Sequence, residues 1–153
     1  MRVNRSVPPP TVVPVLAYPD VRAAVAFLSA AFGFAERTRI GESHRAQLAV
    51  GDTGPVIIAD AGNDRHPPQP GDVTHIVRVR VTDVDAAFAR ARDQGAVMLQ
   101  APADREYGER DCTLEDLAGH RWQLAEAVAD VAPEEFGCQT VSPWPAYQTG
   151  NTA

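Results

Sequence analysis

Two arginines carry the clearest chemical signal in the chain. They lie in the segment HIVRVRV at 75–81. Side chains alternate along a strand, so Arg78 and Arg80 share a face with Ile76, while His75 shares the other face with Val77, Val79 and Val81. Three valines claim the side that packs on a core, which turns the arginines away from it. A guanidinium there is either matched by a protein carboxylate or presents its fork of donors to an anionic or carbonyl-bearing ligand. The segment HRWQLAE at 120–126 alternates in the same way, with Trp122 and Leu124 on one face and Arg121 and Gln123 on the other. His44, His66 and His120 are scattered singles. Cys112 has no histidine fixed near it by sequence and reads as a small buried residue, and with Cys138 it makes no disulfide framework. Gly51-Asp52-Thr53-Gly54 is a hairpin turn without the lysine of a phosphate loop. Asp104-Arg105-Glu106 and Glu109-Arg110-Asp111 mix both signs of charge and read as a solvated loop.

The elements that must position these groups fall into two similar halves. Residues 11–18 form a strand that Pro14 interrupts, as an edge position allows. Asp20 caps a helix over 21–32, whose stripe is Val21, Ala24, Val25 and Leu28, and Gly33 ends it. Strands at 34–40, 44–50 and 55–60 follow, separated by glycine-containing turns. In the strand over 44–50, Leu48 and Val50 face the helix and Gln47 faces the other way. Residues 61–72 are a polar linker rich in Pro and Gly. The pattern then repeats: a strand over 73–81, a helix over 84–94 capped by Asp83, a strand over 97–100, a loop over 101–108, and a final hairpin of 110–115 and 120–126. YPDVRAAVAF superposes on VTDVDAAFAR, placing Asp20 on Asp83, and a second match places Gly54 on Gly119. The expected fold class is α+β, with βαβββ module 1 at 11–60 and module 2 at 73–127 sharing one core. Residues 1–10 read as a disordered N-terminal arm, or one that is only docked, with three prolines that lock an extended conformation. Residues 128–153 form a tail in which Trp144 and Tyr147 are expected to pack on the domain or on a second subunit.

The 153 residues carry a net charge of -6, which argues against a nucleic-acid partner. Hydrophobic residues make up 44%, yet no apolar run approaches membrane-spanning length and the N-terminus lacks a secretory core. A reduced cytoplasm is the expected compartment.

Paired βαβββ modules, each with an Asp-capped helix, and the closing RDCTLEDLAGHRWQL hairpin resemble the vicinal oxygen chelate superfamily, and within it the small glyoxalase/bleomycin-resistance-like proteins. The resemblance covers about residues 12–126. It implies a cup-shaped, mostly antiparallel sheet, with helices outside and ligand inside. It also implies a homodimer. In the superfamily's enzymes the cup holds a divalent metal, and the ligand positions fall here on Val13, Ile58, Ile76 and Gln123. Three aliphatic side chains and one neutral amide offer no such site. No cofactor is therefore expected. The inward candidates are Arg78, Arg80, Gln123 and Gln47, with Tyr107 and Arg110 at the rim and Glu106, Glu109 and Glu115 as available carboxylates. The expected function is metal-independent binding of a small organic molecule, anionic or aromatic. The alternatives are an enzyme with a displaced metal site built from His75 and Gln123, with His44 or Glu106, and a dimer with no ligand.

Overall fold

The computed structural model describes residues 2–142. Module 1 comprises β1 (Val15–Tyr18), α1 (Val21–Phe32), β2 (Ala35–Ile40), β3 (Arg45–Val50) and β4 (Gly54–Asp60). Module 2 comprises β5 (Val77–Arg80), α2 (Val84–Asp93), β6 (Val97–Asp104), β7 (Glu109–Glu115) and β8 (Arg121–Ala127), followed by a 3-10 turn (Pro133–Phe136). The two sheets have the same order, β1-β4-β3-β2 and β5-β8-β7-β6. In each, the first strand pairs in parallel with the last and the remaining pairs are antiparallel. No strand of one sheet is hydrogen-bonded to a strand of the other among the described residues.

Both helices begin as the sequence dictates. Asp20 accepts from the backbone N–H of Ala23 at 3.0 Å, and Asp83 from that of Ala86 at 2.9 Å. Gly33 ends α1 at φ 72, a left-handed conformation that a side chain resists. The helices pack on each other and on their own sheets, and one hydrophobic cluster runs through both modules. Arg90 of α2 donates to Ala31 O at 3.0 Å, tying the end of α1 to its neighbour. The Trp122 ring lies 5.4 Å from the rings of both Phe32 and Phe34.

Three expectations about boundaries are corrected. β1 starts at Val15, because Pro14 has no N–H to donate and the chain before it turns away into the arm. β5 is limited to Val77–Arg80; a bridge between Gln69 and Asp72 marks the end of the linker, and the residues up to Ile76 join no ladder. Residues 101–104, read as loop, extend β6. Register shifts between Met98 and Gln100 and between Gln100 and Ala103 absorb the irregular sequence. Pro102 is tolerated there because β6 is an edge strand. Residues 2–14 form an arm that docks on sheet 1, where Gln47 Nε2 donates to Ser6 O at 2.9 Å. Trp144 and Tyr147 lie outside the described residues.

Candidate functional site

Each helix layer covers one face of its sheet and leaves the other open. On sheet 2, strand parity places Arg78 and Arg80 on the open face, while Val79 lies in the core and Val77 and Val81 pack against it. Arg78 is opposite Gln123 in the parallel β5–β8 register, and Gln123 is opposite Thr113 on β7. Around Arg78 stands a closed polar cluster. Its guanidinium donates to Gln123 Oε1 and to Glu109 Oε2, and lies 3.6 Å from Asp111 Oδ2. Its Cζ sits 6.0 Å from the centre of the Tyr107 ring. Desolvation opposes the charge on Arg78, but the hydrogen bond and charge of Glu109, with Tyr107, outweigh it and raise its pKa.

Asp111 organises the cluster. It is fully buried, and Arg105 Nε donates to it at 2.8 Å, Tyr107 OH at 2.9 Å and Gln123 Nε2 at 3.3 Å. The solvated-loop reading of its charge run is therefore corrected for this residue. The signal that could have found it was parity: Asp111 shares a face of β7 with Glu109 and Thr113, while Cys112 and Leu114 go to the core. Burial pushes the Cys112 thiol up to about 11, in keeping with a packing residue. The Tyr107 ring is flanked by Phe136 of the 3-10 turn, 5.9 Å away. Arg80 is the least committed member. Its side chain is 68% exposed, and Glu109, at 3.6 Å, is its one ion-pair partner among the described residues.

The structure thus brings together Arg78, Arg80, Gln123 and Tyr107. It does not bring Arg110 to them. Arg110 occupies the opposite face of β7, where it pairs with Asp85 at the start of α2 and with Asp104. Alternation along β7 forces that separation, because Arg110 shares its face with Cys112 and Leu114 and not with Glu109, Asp111 and Thr113. Gln47 does face the open side, but of sheet 1, where it holds the arm. Of the other carboxylates, Glu109 pairs with Arg78, whereas Glu115 pairs with Arg121.

The positions implied for a metal do not fit one. Ile58 is fully buried in the core and pairs with Leu16; Ile57 is the open-face partner of Val15, as Gln123 is of Arg78. Counting from the turn glycine overshoots in module 1, since Gly54 is itself the first residue of β4 whereas Gly119 precedes β8. The corrected position is still aliphatic. Val13 is half-buried in the arm and Ile76 is 50% exposed. The residues of a displaced site are scattered too. His44 pairs with Asp60 in module 1, the Gln123 oxygen is taken by Arg78, and the exposed His75 ring lies 6.3 Å from that of His120. Among the described residues no group of three His, Cys, Asp or Glu is placed to hold a metal ion.

A second polar cluster lies between the modules. Asp116 accepts from Tyr18 OH at 2.5 Å, from Trp122 Nε1 at 3.0 Å, and from the backbone N–H groups of Ala118 at 2.9 Å and His120 at 3.1 Å. His120 Nε2 donates to Ala17 O at 2.7 Å. Burial, then the charge and hydrogen bond of Asp116, raise the Tyr18 phenol far above its ordinary range. This cluster is sealed, and its chemistry is structural.

Two βαβββ modules with helices packed between two open-faced mixed sheets define a small α+β protein of the vicinal oxygen chelate type. Residues 11–124 match the family model of the Glyoxalase/Bleomycin resistance protein/Dioxygenase superfamily, and the chain belongs to that family. It is similar to an uncharacterised protein of Mycobacterium bovis, 30% identical over 136 residues, which cover 83% of this chain and 90% of the relative. Among solved structures it is similar to TioX from Micromonospora sp. ML1, with 33% identity, a TM-score of 0.64, and coverage of 76% of this chain and 97% of TioX. A glyoxalase/bleomycin resistance protein/dioxygenase from Nocardioides shares the fold at 21% identity and a TM-score of 0.63, over 86% of this chain and 90% of that one. No helix among the described residues is long and apolar enough to cross a membrane.

Proposed function

We propose that the protein binds a small organic molecule on its open sheet faces without a metal ion. The observation that carries this reading is the pairing of open-face positions on the parallel strands: Val15 with Ile57 in module 1, and Arg78 with Gln123 in module 2. One pair is purely apolar. The other supplies donors already engaged with protein acceptors. Neither offers the anionic or imidazole ligands that a catalytic divalent ion needs. Such faces suit a molecule with an apolar body and a few oxygen atoms, contacted by Arg80 and Tyr107 on sheet 2 and by Gln47 on sheet 1. Arg78 and Gln123 hold the polar wall rigid. A second copy of the chain closes the open faces, covering apolar side chains such as Val97 (53% exposed) and Leu99 (44% exposed).

The test is metal analysis of untagged protein purified without chelator, then thermal-shift titration with nickel, zinc, iron(II) and manganese, and with a library of organic compounds. No stoichiometric metal, no stabilisation by the ions, and a rise in Tm with organic compounds that is reduced in Arg80→Gln are expected. About one metal per chain, lost in His75→Ala, sinks the reading in favour of a metal-dependent enzyme. Sedimentation of the same sample is expected to show a dimer.

A further inference from the structure

A cavity lies on sheet 1, away from the Arg78 cluster. The N-terminal arm leaves β1 at Pro14, whose carbonyl accepts from Ile57 N at 2.9 Å, and crosses the open face until Ser6 O meets Gln47 on β3. Between arm and sheet is a cleft of about 750 Å³. That volume falls within the range of small-molecule sites, about 300–1,000 Å³. One wall is Val7 with the three consecutive prolines of the arm, an apolar surface whose rigid backbone loses little entropy when it holds a ligand. Arg5 from the arm and Arg37 from β2 also line the cleft, with Asp52 in the turn between β3 and β4. Arg39 and Arg78, by contrast, are paired to carboxylates. Among the described residues Arg5 and Arg37 form neither an ion pair nor a side-chain hydrogen bond. Two uncommitted guanidinium groups against one carboxylate leave the cleft positive in a chain whose net charge is -6. In apolar, concave surroundings such forks favour an anion.

We propose that the cleft between the N-terminal arm and sheet 1 takes an organic anion, with Arg5 and Arg37 on its charged group and the proline wall against its apolar body. This rests on the small-molecule reading above. It goes further by placing charge recognition on sheet 1 and by making the arm part of the site.

The experiment is calorimetric titration of the full chain, at low salt, with naphthalene-1-carboxylate and its uncharged amide, naphthalene-1-carboxamide. The carboxylate is expected to bind about tenfold more tightly. Arg5→Gln and Arg37→Gln are each expected to weaken it by about twofold to fivefold, as for exposed charge pairs, without changing the affinity for the amide. Both side chains are exposed, so the variants should melt as the parent does; Arg92→Gln, on the outer face of α2, is the control and should change nothing. Equal affinity for the two probes, no binding of either, or indifference to both substitutions overturns the proposal. Carboxylate binding lost in Arg80→Gln but not in Arg5→Gln or Arg37→Gln moves the anion to sheet 2. That outcome overturns the arm site and leaves the small-molecule reading standing.

Discussion

Asp116 accepts four hydrogen bonds at a place where it is only 4% exposed. Removing a buried acceptor strands its donors, each at about 1–3 kcal/mol. Asp116→Ala is therefore expected to lower unfolding free energy by about 3 kcal/mol or more, and Tyr18→Phe by only about 1–2 kcal/mol, in urea denaturation followed by circular dichroism. Equal losses would mean that Tyr18 is the sole significant partner. The sequence marks Asp116 as a turn residue, and it is one. Its burial was not legible, because Tyr18, which helps to cover it, lies 98 positions away. Arg78, Arg80 and Gln123 were placed on the right face by alternation alone. Their partners are less accessible to such reading: Glu109 is legible only as an available carboxylate, and Asp111 reads as solvated charge. Arg110 shows a different limit: its rim placement comes from the family resemblance, whereas alternation with Cys112 and Leu114 already puts it on the other face.

At the scale of elements, local signals decided well and irregular ones poorly. The caps Asp20 and Asp83 act within their own first turns, so no distant residue could override them. The extension of β6 depends on bulges and on being an edge strand, and neither is written in a short stretch of sequence. One link between elements has a pH signature. Hydrogen bonds from Arg110, with its charge, hold the Asp85 carboxyl below its ordinary range, despite opposing desolvation. A carboxylate whose folded pKa is depressed lends stability that is present above its unfolded value, about 3.9, and lost as pH falls through the folded one. Asp85→Asn is therefore expected to lower Tm at pH 7, with the difference from the parent shrinking as pH is taken from 5 towards 2. A difference that stays constant over that window would show that α2 and β7 are not joined through this charge pair. Because the pair is exposed, the effect at any pH should be small.

For the whole molecule, the internal repeat was the feature most open to sequence reading, since two copies of one pattern reinforce each other. The separation into two sheets, joined through helices and the Trp122 cluster, was not, because repeats specify units rather than the contact between them. That contact makes the modules interdependent. Trp122→Ala removes a fully buried ring lying against Phe32 and Phe34 of the other module, at an expected cost of about 3–5 kcal/mol. The variant and the parent should each unfold in one transition, with tryptophan fluorescence (in the parent) and circular dichroism coinciding. Two separated transitions would show that the halves are autonomous. The bond between Tyr18 and Asp116 also bears on how the chain is made. Tyr18 leaves the ribosome early and must wait for a partner 98 residues behind it. At about 5–20 residues per second, that wait is about 5–20 s. Throughout it the first module carries an unsatisfied phenol and an unfinished apolar surface, so the newborn half-protein is the form most in need of a chaperone.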